Sequence, residues 1–216
     1  TPIYLKSKVL YGMHRTKNEI SKSNCAIVVE GYMDALQLYQ SDIKNVVAVS
    51  GTALTDSHAH ILKRITKNIL ISYDGDAAGI ASAIRAGYVL LRNGLNPSII
   101  EIPDKMDPDD WIKKDGIEPF KKAINTAVSL IEFSYKHRKN GVDIAEFINQ
   151  SIEEIVLLSD QVIAEIKINE LSKITGISKE SINTNFLNLK DKKESRFKFQ
   201  SKDSVIKSTS SILEED

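Results

Sequence analysis

At 216 residues, 42% of them hydrophobic, the chain can bury the core of an ordinary domain plus an appendage, which excludes wholesale disorder. Lys+Arg and Asp+Glu balance at 29 each, so any nucleic-acid-binding face must be local rather than global. The single Cys25 excludes an internal disulfide framework and a cysteine-based zinc cluster, and no apolar run approaches the roughly 18 residues that span a bilayer.

The chain opens at Thr1 and closes in a Ser- and Lys-rich stretch, and reads as a piece of a longer, cytoplasmic polypeptide without a signal peptide. From Thr1 to Asn24, Lys6, Lys8, Arg15, Lys17 and Lys22 face only Glu19, which makes a basic strip. Cys25 reads as a small apolar residue at the start of a strand over Ala26–Val29, followed by a helix over Met33–Tyr39. Val46–Val49 is a second strand, and Thr55 an N-cap for a helix over Ser57–Ile65. Ile69–Tyr73 is a third strand, followed by a helix from Ala77 to Arg92 that Asn93-Gly94 ends. Ser98–Ile102, between Pro97 and Pro103, is a fourth. Strands alternating with helices at this spacing predict an α/β fold, a mostly parallel sheet with helices on both faces.

Past Pro108 the pattern is helical only. Phe120–Tyr135, Ile144–Leu158, Val162–Ile174 and Ser181–Leu189 read as amphipathic helices, and no further strand is expected. Glu170–Leu189 turns at Gly176 in the manner of a helix-turn-helix, but Ser181–Leu189 has few basic residues, so simple helix packing is the better reading. The expected divisions are 1–24, a sheet domain over 25–115, a helical subdomain over 116–190, and a linker or disordered tail over 191–216.

Ligands of open parallel sheets bind at the carboxyl ends of the strands, and the acids gather there. Glu30 follows the first strand with Asp34 one turn on; Asp74 and Asp76 follow the third; Asp107, Asp109 and Asp110 follow the fourth. Asp74-Gly75-Asp76 alone reads equally as a turn or a helix cap, and so does the Asp-Pro-Asp of KMDPDDW. Three clusters at three strand ends read together as a metal-holding rim, because crowded carboxylates repel unless a cation joins them. Hard oxygen donors without His or Cys point to Mg²⁺ or Mn²⁺. Gly31, Gly75 and Gly79 let the adjoining turns tighten. His58 and His60 are expected exposed on their helix, and Tyr32, Tyr39 and Trp111 are expected in core or boundary packing.

VVEGYMDALQL, VAVSGTALT, ISYDGDAAG and DPDDWI, in that order, resemble the Toprim domain, a Rossmann-like module, and among its members the bacterial DnaG-type primases. The YLKSKVLYG segment is similar to the primase stretch just before Toprim, so the likeness runs from about Pro2 to Asn140. The resemblance implies a partial primase core making short RNA primers from ribonucleoside triphosphates on single-stranded DNA. By matching motif it implies Glu30, Asp74 and Asp76 as catalytic and metal-holding, Asp107 and Asp109 as further metal ligands, and Asp34 as a supporting acid. It implies Lys6 as a nucleic-acid or nucleotide contact, with Lys8 and Arg15 alongside. It also implies a zinc ion in a missing N-terminal module, a replicative helicase reached through a region not present here, and weak or no activity for the isolated chain. A Toprim module of a phage-type primase–helicase, a Toprim nuclease, or a non-catalytic metal-stabilised binding module are the alternatives.

Overall fold

The structure, a computed structural model, describes residues 5–138 and 141–193. It divides into two compact units, Thr1–Gly141 with Leu158–Asp160, and Val142–Leu157 with Gln161–Asp216.

The first unit is built on a five-stranded sheet in the order β2-β1-β3-β4-β5. Its strands are β1 (Ala26–Val29), β2 (Val46–Ala48), β3 (Asn68–Ser72), β4 (Asn96–Ile99) and β5 (Val128–Ser129). The first four pair in parallel, with Val28 of β1 opposite Val47 on one side and Ile71 on the other. All four residues of β1 are buried, as a central parallel strand covered on both faces requires. Side chains alternate across the sheet, so Ile27 and Val29 point to one face. There they join Val46, Ala48, the α2 residues Ala35 and Leu38 (α2, Tyr32–Gln40), Ile112 of α5 (Pro108–Asp115) and Phe120 of α6 (Ile117–Asn125) in one core cluster. The other face packs α4 (Ala77–Arg92), which also meets α3 (Asp56–Lys63) and α7 (Leu130–Lys136). Among the described residues no helix is long and apolar enough to cross a membrane.

The structure departs from expectation in several places, among them the fourth strand, which runs Asn96–Ile99 with Pro97 inside it rather than Ser98–Ile102. The basic strip, to which the sequence pattern assigns no element, holds a 3-10 turn (Lys6–Lys8) that leads into a helix, α1 (Met13–Ser23), pinned by buried Thr16 and Ile20. Phe120–Tyr135 is not one helix, because α6 stops at Thr126 and Val128 pairs antiparallel with Ile99 as β5. Ser129 then caps α7, its hydroxyl accepting from Glu132 N–H at 3.1 Å. The expected break after residue 115 also moves, since Ile112 and Phe120 share the sheet's core and α6 and α7 stay with the first unit.

The second unit packs α8 (Ile144–Ile155), α9 (Gln161–Thr175) and a helix over 179–193. Ile152, Ile168, Leu171 and Ile182 are buried in it. Gly176 ends α9 at φ +73°, and Lys179 pairs with Glu165 at 2.7 Å. The expected tail begins too early, since 191–193 are helical, and its remainder, 194–216, lies outside the described residues.

Gly79, in the first turn of α4, lies hard against the loop that leaves β3. A Cβ there would lie 2.3 Å from Asp74 O and 2.8 Å from Asp74 Cβ. Backbone cannot yield as a flexible side chain can, so Gly79→Ala is expected to destabilise the first unit by roughly 1–3 kcal/mol, read as a lowered urea midpoint with unchanged slope. A wild-type midpoint would show that the strand–helix junction is loose.

Candidate active site

The strand order 2-1-3 reverses direction at β1, and in such sheets the crevice beyond the carboxyl ends of the strands flanking the reversal is where ligands sit. Glu30 is the first residue past β1, and Asp74 lies two past β3. Asp76 is the N-cap of α4, its Oδ1 accepting from Gly79 N–H at 2.7 Å. Asp107 is the N-cap of α5, its Oδ1 accepting from Asp110 N–H at 2.6 Å. Capping engages one oxygen of each carboxylate and leaves the other available.

Two contacts bring these loops together. Asp34 is 6% exposed, and its oxygens accept from Gly31 N–H at 3.1 Å and Asp109 N–H at 3.2 Å. It thereby ties the turn after β1 to the start of α5. Gly75 N–H donates to Met106 O at 2.8 Å, and a Cβ on Gly75 would sit 2.1 Å from Pro103 O. Only glycine admits the β3 and β4 loops to that distance.

The acids feel one another. Burial pushes the Glu30 carboxyl up to about 7, helped by the charges of Asp74, Asp76 and Asp34 and opposed by Arg85. Burial first, then Asp107 and Asp74, pushes Asp34 up to about 6 against the two backbone N–H donors. Asp74 is raised by burial and then by Asp107, Asp76 and Asp110. The three sequence-distant clusters therefore share one rim.

Within it the closest grouping is Asp107, Asp109 and Asp110, whose carboxylate oxygens lie within 4.8 Å of one another. Among the described residues no such grouping includes Glu30, Asp74 and Asp76; these face one another electrostatically at longer range. Asp110 was read from sequence as part of the acidic patch but not as a ligand, although its spacing from Asp107 matches that of the cap contact. Asp109 Oδ2 is ion-paired with the exposed Lys113 at 2.5 Å, so a cation at this triad displaces an ammonium. The donor set suits a hard divalent cation: it is all carboxylate, and Glu30 Oε1 is buried with no hydrogen-bond partner.

Of the expected basic contacts, Lys6, Lys8 and Arg15 are all exposed. Two aromatic and histidine expectations fail. His58 is 0% exposed, not on the surface, because its ring is gripped by backbone on both nitrogens; His60 is exposed as expected. Tyr32 is 54% exposed, not packed, its ring 6.0 Å from the exposed Tyr11, because the first turn of α2 turns Asp34 and Ala35 inward and leaves Tyr32 on the outer side. Tyr39 and Trp111 are half-buried, Trp111 edge-on to Phe120 at 5.8 Å.

Residues 27–112 match the Toprim-like family. The DNA primase of Clostridium acetobutylicum is 38% identical over 189 residues, covering 84% of this chain and 31% of the relative. The chain therefore spans about a third of that relative's length. The crystal structure of the zinc-binding and RNA polymerase domains of the Aquifex aeolicus primase superposes with a TM-score of 0.73 at 32% identity, over 84% of this chain and 45% of that one. The structure of a DnaG primase catalytic domain bound to single-stranded DNA superposes with a TM-score of 0.70 at 30% identity, over 80% and 59% of the two chains.

The raised carboxyls have a consequence for stability. Glu30 and Asp34 titrate at about 7 and about 6 in the fold, against roughly 4.3 and 3.9 when unfolded, so the folded state holds more protons in between. Their contribution is fully present below the unfolded values and is lost as pH rises through the folded ones. With divalent ions chelated, the chain is expected to lose stability between about pH 4 and pH 7, and Glu30→Gln to flatten that slope. Urea midpoints across this range check it; identical slopes for the two proteins would remove Glu30 from the crowded set.

Proposed function

We propose that this chain, a homologue of the DnaG-type DNA primases that carries a Toprim-like domain, is part of a primase catalytic core that joins ribonucleotides into short RNA primers on single-stranded DNA. The observation that carries the reading is the gathering of Glu30, Asp74, Asp76 and the Asp107–Asp110 cluster on one rim, with a buried Glu30 oxygen left without a partner. Mg²⁺ or Mn²⁺ is the ion the all-oxygen donor set favours. Bound there, it supplies positive charge for the attacking 3′-hydroxyl and the leaving pyrophosphate.

The chain's own residues supply position. Glu30, Asp74 and Asp76 hold negative charge at the switch point, and Asp107 and Asp109, with Asp110, at the neighbouring strand end. Asp34 keeps those two ends at a fixed distance through its paired backbone bonds. Glu30, with its carboxyl near 7, can hold or release a proton close to neutral pH, which suits an acid/base role. Lys6, Lys8 and Arg15 supply cations for template phosphates, and the exposed Tyr11–Tyr32 pair offers a face for base stacking. Phosphoryl transfer asks mainly for positioning and charge neutralisation, so a site without a special nucleophile suffices.

The partners that follow are a single-stranded template, ribonucleoside triphosphates and, through regions outside this chain, a zinc-bearing module and a replicative helicase in a cytoplasmic setting. The kinship to a catalytic domain solved with single-stranded DNA supports the first.

Mn²⁺ titration of the chain is expected to saturate, with Asp74→Asn weakening it by about tenfold or more. In the longer protein that carries this segment, Asp74→Asn is expected to cut primer synthesis by at least 10²-fold while circular dichroism and melting stay native. Absence of saturable Mn²⁺ binding, or wild-type synthesis by the variant, would remove the catalytic reading.

A further inference from the structure

We infer that Thr55 and His58 are positioning residues that hold the Lys6 ammonium over the Ser50–Gly51 turn, where it takes a phosphate group at the β2 end of the rim. This rests on the proposed role of Lys6 as a nucleic-acid or nucleotide contact.

The 3-10 turn Lys6–Lys8 contains no buried residue, so apolar packing does not fix it. Side chains from the first turn of α3 do. Thr55, the N-cap, accepts from His58 N–H at 3.3 Å and donates its hydroxyl proton to Ser7 O at 2.6 Å. His58 Nδ1 accepts from Thr55 N–H at 3.3 Å, and Nε2 lies 2.9 Å from Lys6 O. A carbonyl can only accept, so the proton sits on Nε2 and points at Lys6. Two successive carbonyls of the turn are thus gripped by two side chains of a single cap. Burying an imidazole completely is costly unless both nitrogens are satisfied, and an aliphatic residue would fill the space without that demand. The polar choice makes sense for what it grips.

What it grips is Lys6. A methyl group at Gly51 would lie 3.9 Å from Lys6 Nζ, so the ammonium stands directly over that turn. Ser50 and Gly51 both have left-handed backbone, φ +55° and +73°, and Ser50 does so without being glycine. Ser50 N–H donates to Glu30 O at 2.9 Å, which joins the turn to the first acid of the rim. Ser50 Oγ is buried and has no hydrogen-bond partner, and Lys6 is paired with no carboxylate among the described residues. An ammonium without a carboxylate partner, one strand from the acids, is suited to phosphate oxygens. That phosphate belongs to a template strand or to a nucleoside triphosphate, and binding can tell which.

The test measures a fluorescein-labelled oligo-dT strand and, separately, ATP with Mn²⁺, against wild type, Lys6→Gln, Thr55→Val and the double variant. Thr55→Val keeps the shape but deletes both the cap acceptor and the bond to Ser7. It is expected to lose severalfold affinity in one arm, with Lys6→Gln losing as much and the double variant losing no more than Lys6→Gln alone. Loss in the oligo-dT arm with the salt slope reduced by about 0.7 assigns the phosphate to the template; loss in the ATP arm assigns it to the triphosphate. Thr55→Ser, which retains the hydroxyl, restores binding. Should Thr55→Val melt below the assay temperature, His58→Gln, whose amide can still donate to Lys6 O, against His58→Ala reads the same coupling. Losses that add in the double variant, or unchanged binding in both arms, overturn the inference. No primer synthesis is required, so it stands or falls apart from the catalytic reading.

Discussion

One buried carboxylate holds the site together. Asp34 belongs to α2, yet its two oxygens accept from Gly31 in the turn before that helix and from Asp109 in another helix. Sequence neighbours of β1 and of β4 are thereby drawn to one place by two hydrogen bonds to a charged acceptor, the stronger kind. The requirement reaches further than Asp34 itself. Gly31 must be small, since a Cβ there would meet Asp34 Oδ2 at 2.8 Å. Gly75 must be small for the same reason in the adjoining loop, where β3 and β4 connections pass at backbone contact distance. The acids converge because the backbone beneath them does.

Convergence sets up the electrostatics. Bringing Glu30 and Asp74 beside the Asp107 cluster in a partly buried crevice raises the affinity of Glu30 and Asp74 for protons, and the same field favours any other cation of suitable size. Protons and a divalent ion therefore compete for one set of oxygens. Lys113 enters that competition at Asp109, and Arg85 moderates Glu30 from outside.

Most of this was legible in the sequence, and what escaped did so for identifiable reasons. The parallel core was readable because buried strands such as Ala26–Val29 are continuous apolar runs between helical patterns. The acids were readable because each follows a strand. Asp76 and Asp107 also turned out to be helix caps, and the two readings do not compete, since a cap uses one oxygen of two. The helix of Met13–Ser23 escaped because only Thr16 and Ile20 are buried, too few to make a stripe. Strand β5 escaped because two residues carry no periodicity, although Ser129 and Glu132 mark the cap that follows it. The burial of His58 escaped because the partner of its Nε2 is a carbonyl 52 residues away in the chain, which no side-chain pattern announces. Tertiary hydrogen bonds to backbone are invisible to composition and period alike.

The strand order turns these pieces into a sequence of charges. Read across the carboxyl edge of the sheet, β2 ends at the Ser50–Gly51 turn under Lys6, β1 at Glu30, β3 at Asp74 and Asp76, and β4 leads to the Asp107 cluster. Positive charge stands at one end and negative charge accumulates toward the other. A bare phosphate chain is repelled by the acidic end and attracted by the basic one, and a divalent ion experiences the reverse. On the proposed reading, a ligand carrying both would have one low-energy direction along the edge, its cation toward the acids and its free phosphate oxygens toward β2. Orientation of this kind needs no reading of bases. It follows from the strand order and from the Thr55–His58 grip on the β2 end, neither of which contributes an atom to the chemistry.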